Sequence, residues 1–265
     1  MNTQTAFSSP PEDEVGQRRQ AILAIVQEQG FATIEVLARQ FGVSAQTVRR
    51  DIVHLDGEGA VRRFHGGAGL PEAHGRLPYA EKRAVAPDAK ERIGRAAAAL
   101  VQDGASVFLD VGTTVEAIAR ALRGRRALRV FTCSLPAATL LADAADGPEL
   151  FVLGGLVRGA DGSLTGDATT AAIARFRFDW AFVGFSGCEP DGTLMDFDLA
   201  KVAVKQVAIA RSHAAVAVGT ADKFTRTALV AVAGLDAFSC LVTDRAPPAA
   251  LAEPMAAGAV RLVTA

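Results

Sequence analysis

Gln46, Thr47, Arg49 and Arg50 fall within one short stretch and together carry the hydrogen-bonding groups that read base edges. Arginine forks onto guanine, glutamine onto adenine, and threonine meets the thymine methyl or a phosphate. Such chemistry needs a helix with an apolar back. On a helical wheel Val48, Ile52 and Leu55 share one face with Ala45 at its edge, while Gln46, Thr47, Arg50 and His54 point the other way and Arg49 flanks them. Ser44 is suited to cap this helix through its hydroxyl, and Gly42 supplies the positive φ that a tight turn before it requires. The alternative for this stretch alone is an amphipathic surface helix whose arginines are merely solvated.

The neighbouring residues favour the first reading. Arg18–Gln29 has Ile22, Ile25, Val26 and Gln29 at helical spacing, with Gly30 at a C′ position. Thr33 can cap a second helix, Ile34–Gln40, that turns Leu37, Ala38 and Phe41 inward. Three short helices, the last two joined by a tight turn, make a helix-turn-helix. After Gly57 and Gly59, Ala60–His65 followed by Gly66-Gly67 reads as a short β-ribbon, or wing. It places Arg62, Arg63 and His65 where backbone phosphates would lie; a basic hairpin without a partner is the alternative.

A second constellation sits where strands end. Past residue 90, short apolar strands alternate with helices, which implies a parallel sheet covered on both faces. Ligands of such sheets lie beyond the carboxyl ends of the strands. Those ends include Asp110-Val111-Gly112-Thr113-Thr114, Thr132, Gly154-Gly155, Gly184 and Lys223. In the first, a glycine, two hydroxyls and a helix start follow one another, a combination suited to a phosphate group. Lys205 and Lys223 are candidates to neutralise it. The alternatives are a plain strand-to-helix turn and two surface lysines.

Composition sets the frame. The chain has 265 residues, half of them hydrophobic, and a formal net charge of −1, as expected of a soluble globular protein. Residues 17–70 hold seven arginines against five acids, a mild local excess of positive charge. Cys133, Cys188 and Cys240 are odd in number and far apart, so neither a disulfide framework nor a zinc site is implied. No cofactor or metal is expected. The absence of a signal-peptide core or an apolar run of about 20 residues points to the cytoplasm and away from membranes. Residues 1–16 are expected to be a disordered tail, 17–72 the winged helix-turn-helix, 73–89 a linker, and 90–265 an effector-binding and oligomerisation domain.

Three runs carry a family resemblance: Arg18–Ile22, Val43–Asp51 and Arg63–Ala68. They resemble the winged helix-turn-helix of the DeoR-type bacterial repressors, which implies that Thr47, Arg49 and Arg50 face DNA and that Asp51 braces those arginines. The resemblance continues through Phe108–Thr114, Leu153–Gly155, Asp161–Gly166, Gly184–Gly187 and Lys223-Phe224. It implies a mostly parallel α/β sugar-phosphate-sensing domain similar in fold to ribose-5-phosphate isomerase. Arg175–Asp179, Phe197-Asp198 and Thr243–Pro248 are similar to the branch of the family that governs glycerol-3-phosphate catabolism. Lys201, Thr220 and Cys133-Ser134 depart from the family pattern.

The resemblance therefore implies a non-enzymatic repressor of a carbohydrate or glycerol catabolic operon. It would bind double-stranded operator DNA as a homo-oligomer and be released by a phosphorylated metabolite such as glycerol-3-phosphate. The competing reading is a sugar-phosphate isomerase with an accessory DNA-binding module, for which Asp110, Asp196 or Asp198 would be the base.

Overall fold

The structure, a computed structural model, describes residues 12–29, 31–64, 67–69, 79–226 and 228–265. It divides into two units, Met1–Leu77 and Pro78–Ala265.

In the first unit, helix α1 (Glu12–Gln29) precedes strand β1 (Phe31–Thr33), helix α2 (Ile34–Phe41), helix α3 (Ala45–Gly57), and strands β2 (Arg62–Phe64) and β3 (Gly67–Gly69). The three strands form an antiparallel sheet in the order β1-β3-β2. The apolar periodicity produces the expected core: Ile22, Val26, Leu37, Val48, Ile52 and Leu55 are all buried against one another. Thr33 and Ser44 cap α2 and α3 through their hydroxyls, which accept from Val36 N and Thr47 N, both at 3.1 Å. Gly42 closes α2 at φ 63°, in the left-handed region. Helix α1 begins at Glu12, so residues 12–16 belong to a helix and not to the expected tail. Residues 1–11 of that tail, Gly30, His65, and residues 73–78 of the expected linker lie outside the described residues.

The second unit opens with α4 (Tyr79–Ala84) and α5 (Pro87–Ala98), so the stretch expected to be a linker up to residue 89 contains one helix and the start of another. Pro87 stands in the first turn of α5, where its missing N–H costs nothing. Next come β4 (Ser106–Leu109), α6 (Thr113–Leu122), β5 (Arg129–Thr132), α7 (Leu135–Ala142) and β6 (Glu149–Val152). A hairpin of β7 (Leu156–Arg158) and β8 (Ser163–Thr165) leads into α8 (Asp167–Ala174) and β9 (Phe178–Gly184). The remainder is β10 (Gly187–Cys188), β11 (Thr193–Asp196), α9 (Leu199–Ala210), β12 (Ser212–Val218), β13 (Val230–Gly234), β14 (Cys240–Thr243), α10 (Ala252–Ala257) and β15 (Arg261–Thr264).

Seven strands form a parallel sheet in the order β15-β14-β12-β9-β4-β5-β6. Alternation along β4 shows how it is covered: Phe108 packs into one apolar layer with Phe178, Val202 and Ala208, and Val107 and Leu109 into the other with Ile93, Ile118 and Leu122. Each such large side chain contributes roughly 1.5–3 kcal/mol by leaving water. From β4 the chain runs outward through β5 to β6. It then returns to β9 on the other side of β4 and runs outward again through β12, β14 and β15. The β4–β9 junction is therefore the point where strand order reverses, and a crevice opens there beyond the carboxyl ends. The small antiparallel sheet β10-β11-β13 and the β7–β8 hairpin were not expected from the sequence.

Candidate functional site

The first candidate surface is α3 with the β2–β3 ribbon. Val48, Asp51, Ile52 and Leu55 are buried, whereas Ser44, Gln46, Arg49 and Arg50 are exposed and Thr47 is half-buried. The expected faces are thus the observed ones. Ser44 and Thr47 also join their hydroxyls at 2.9 Å, so both are engaged in starting the helix. Arg62 and Arg63 are exposed on β2, and Arg63 N donates to Asp56 Oδ1 at 2.9 Å, which ties the ribbon to the end of α3. Asp51 does not brace Arg49 or Arg50. Its carboxylate, only 2 % exposed, accepts from Arg18 Nε at 2.6 Å and Arg19 Nε at 3.1 Å, clamping α1 onto the back of α3. The buried face of an amphipathic helix carries Asp51 inward, and only arginines from another helix reach it there.

The second candidate site lies at the sheet reversal. Asp110, 1 % exposed, directly follows β4, and Gly184 ends β9 beside it. Asp110 Oδ2 accepts from Gly184 N at 3.0 Å and from Lys205 Nζ at 2.5 Å. Lys205 reaches in from α9 and donates as well to Gly184 O at 2.7 Å, and lies 3.3 Å from Asp196 Oδ2. Burial pushes the Lys205 pKa down, but the two carboxylates outweigh burial and hold it above its ordinary value. An ammonium has three N–H groups, and those of Lys205 face three acceptors. This lysine therefore organises the floor of the crevice and has no donor left for a ligand. Two carboxylates against one ammonium leave that floor net negative.

Above the floor, Gly112 takes φ 140°, a conformation L side chains rarely adopt, and a Cβ there would meet nothing within 4 Å. Glycine is required by the backbone, and the space over it is open. Gly112 is also the N-cap of α6 and offers no side chain to the first-turn amides, while Glu116 N donates to its carbonyl at 2.9 Å. Thr114 is 3 % exposed, and its hydroxyl has no hydrogen-bond partner among the described residues. A free N-terminal turn with an unpartnered hydroxyl is a ready anion site. Thr113, the first residue of α6, is half-buried.

Lys223, in the one-turn helix Ala221–Thr225, places Nζ 5.4 Å from the centre of the Phe185 ring. Burial, assisted by the charge of Lys205, pulls its pKa down to about 8. No hydrogen bond or ion pair of Lys223 Nζ occurs among the described residues. It is thus a buried cation with no ion pair in contact, on which the carboxylates of Asp222 and Asp196 act only through longer-range attraction.

Other expected site residues have different places. The Thr132 hydroxyl donates to Leu109 O at 2.8 Å and accepts from Ser134 N at 3.1 Å, so it joins two strand ends. Gly155 lies against Thr165 and Thr169, and Gly154 O accepts from the Thr169 hydroxyl at 2.9 Å; these glycines seat the hairpin on α8. Asp198 caps α9, accepting from Ala200 N and Lys201 N. Lys201 pairs with Asp161 in the β7–β8 turn. Asp196, Ser186 and the buried Glu116 were not among the expected binding residues. Asp196 ends β11 of the small antiparallel sheet and Ser186 directly precedes its β10, and the strands of this sheet are too short to stand out in the sequence. Among the described residues no cluster suited to a metal ion occurs.

Comparison with known proteins follows the same division. A helix-turn-helix profile described as DeoR-like matches residues 18–74, and one for the DeoR C-terminal sensor domain matches residues 85–245. The glycerol-3-phosphate regulon repressor of Escherichia coli is 36% identical over 88% of this chain and 92% of its own length. The protein of the same name from Haemophilus influenzae is 36% identical over 87% of this chain and 89% of its own. The HTH-type transcriptional repressor GlcR of Bacillus subtilis is 30% identical over 93% and 95%. Among solved structures, ribose 5-phosphate isomerase A of Methanocaldococcus jannaschii is similar with a TM-score of 0.38 and 18% identity, over 52% of this chain and 54% of that one. Both units are covered by profiles of one family, and relatives above 30% identity span nearly the whole chain. It belongs to the DeoR family of transcriptional repressors and is not an enzyme.

Proposed function

We propose that the chain represses a carbohydrate or glycerol catabolic operon and leaves its operator when a phosphorylated metabolite such as glycerol-3-phosphate fills the crevice at the sheet reversal. The observation that carries this reading is the Gly112–Thr114 loop. It offers uncapped helix amides beside the open space over Gly112, with the unpartnered buried hydroxyl of Thr114 next to them, and the same unit holds Lys223, a buried cation with no ion pair in contact among the described residues. The phosphate lies on the loop and meets Lys223. The hydroxyls of the metabolite donate toward the negative floor of Asp110 and Asp196. Lys205 acts through those carboxylates. On the DNA side, Gln46, Arg49 and Arg50 meet base edges, and Arg62 and Arg63 meet phosphates, with Ser44 and Thr47 holding the start of α3 against the backbone.

A single winged module reads a short site, so the functional species is a homo-oligomer on repeated or palindromic half-sites. No helix of the described residues is long and apolar enough to cross a membrane, and a DNA-bound repressor works in the cytoplasm. Calorimetry with glycerol-3-phosphate and with glycerol tests the effector reading. Binding of the ester and not of the alcohol is expected; equal behaviour of the two would overturn it. Light scattering at micromolar concentration tests assembly, and a monomer that holds one half-site tightly would overturn that part.

A further inference from the structure

Helix α6 begins at the Gly112–Thr114 loop, and one turn along it stands Glu116, only 2 % exposed. Its backbone N–H is bonded to the loop, on Gly112 O at 2.9 Å. Its side chain is bonded to α4, the first helix that follows the DNA-binding unit in the chain. Arg83 donates from Nε to Oε2 at 2.9 Å and from Nη2 to Oε1 at 3.2 Å, and the Tyr79 hydroxyl donates to Oε1. The carboxyl end of α4 is held too: Lys90 Nζ donates to Val85 O at 2.6 Å and to Lys82 O. A cavity of about 260 Å³ runs between these groups, and Arg83, Lys90 and Glu116 line it together with Thr113, the first residue of α6. One buried carboxylate thus joins the candidate anion loop to the helix that leads back to the DNA-binding unit.

We propose that Glu116 couples anion occupancy of the Gly112–Thr114 loop to helix α4. The inference rests on the effector site proposed above and adds how that site is read out. A phosphate dianion placed at the start of α6 lies about one helical turn from Glu116, and Thr113 of that loop lines the cavity that Arg83 and Lys90 also line. Like charges repel there, and the new anion competes with Glu116 and the α4 carbonyls for both cations. Removing competition-sensitive partners from α4 loosens it, because its six residues make a helix too short to persist without tertiary support. A ligand shifts an equilibrium only through unequal affinity for two states; here the two states are α4 docked and α4 released, and the anion favours the second.

Hydrogen exchange on the full chain, with inorganic phosphate as the probe anion, tests the coupling. Without phosphate, Glu116→Gln is expected to speed exchange at residues 79–84 by about tenfold, as loss of a local hold does, and Tyr79→Phe by less. The amides of β4 keep their protection in both. In the wild type, phosphate that protects residues 112–118 is expected to speed exchange at 79–84; in Glu116→Gln it protects 112–118 and speeds 79–84 by much less, because only the Lys90 contacts remain for the anion to compete with. Should phosphate protect 112–118 in the wild type with no change at 79–84, the anion site stands and the coupling is wrong. Should 112–118 gain no protection, the site itself is wrong and the coupling falls with it. If Glu116→Gln also loses protection in β4, Tyr79→Phe, which keeps the carboxylate and Arg83, decides the comparison.

Discussion

Lys205 Nζ stands 2.5 Å from Asp110 Oδ2, with both side chains at most 3 % exposed, so that an α9 ammonium fixes the end of the central strand β4. The pair spans the reversal of strand order. Removing one partner leaves a buried charge uncompensated, at a cost of about 3–5 kcal/mol. Lys205→Met is therefore expected to destabilise the second unit by that amount. Asp110→Asn, which leaves Lys205 its contact with Asp196, should cost less. The chain has a single tryptophan, Trp180, on β9, so its fluorescence during urea unfolding reports this unit alone. A loss below about 1 kcal/mol for Lys205→Met, within the range of exposed pairs, would show that the pair is not the brace described.

Gly112 gives two separable expectations. Gly112→Ala introduces backbone strain of about 1–3 kcal/mol at φ 140°, without adding charge. Gly112→Asp adds the same strain and sets a carboxylate in the open space above the loop. Phosphate ester binding, measured by calorimetry, should weaken in the alanine variant and vanish in the aspartate variant. The aspartate variant should also stay on DNA when the ester is added. Release as ready as in the wild type would place the phosphate elsewhere.

Lys223 sets a pH window. Its pKa is pulled down to about 8 because burial favours the neutral amine. A bound anion favours the ammonium instead, so binding takes up a proton near that pH. Affinity for a phosphate ester should hold steady from about pH 6, where the dianion forms, to pH 8. Above pH 8 it should fall by up to about tenfold per unit. Calorimetry in buffers of different ionisation enthalpy measures the proton uptake directly, and Lys223→Met should abolish it. Affinity independent of pH between 7 and 9.5 would remove Lys223 from the site.

On the DNA side, Arg50→Ala should cost roughly 1–3 kcal/mol and relax preference at one operator position. Arg63→Ala should weaken all sequences alike and reduce the salt slope by about one. Fluorescence anisotropy over a salt series separates the two effects. Unchanged operator binding by Arg50→Ala at fixed salt would refute its role.

Asp51 is expected to act on stability and not on DNA contact. It ties Arg18 and Arg19 of α1 to α3, and hydrogen bonds to charged groups are worth about 1.5–3 kcal/mol. Asp51→Ala should lower the stability of the first unit by this order, seen by circular dichroism, while the Trp180 transition stays in place. A shift of the Trp180 transition, with the first unit unchanged, would contradict the assignment.

What the sequence determined by itself is local. The spacing of Val48, Ile52 and Leu55, the Ser44 cap and the Gly42 turn define α3 and its exposed face, because each acts within one or two turns of chain. The buried strands of the parallel sheet were likewise legible as short apolar runs, since both of their faces are covered. Tertiary structure decided which charges meet. Asp51 pairs with arginines 32 and 33 residues away, and Lys205 with an aspartate 95 residues away, distances over which sequence patterning carries no signal. It also decided that Tyr79–Ala84 is helical. A six-residue polar segment has no intrinsic reason to fold; the buried carboxylate of Glu116 gives it one, and that contact exists only once α6 has packed.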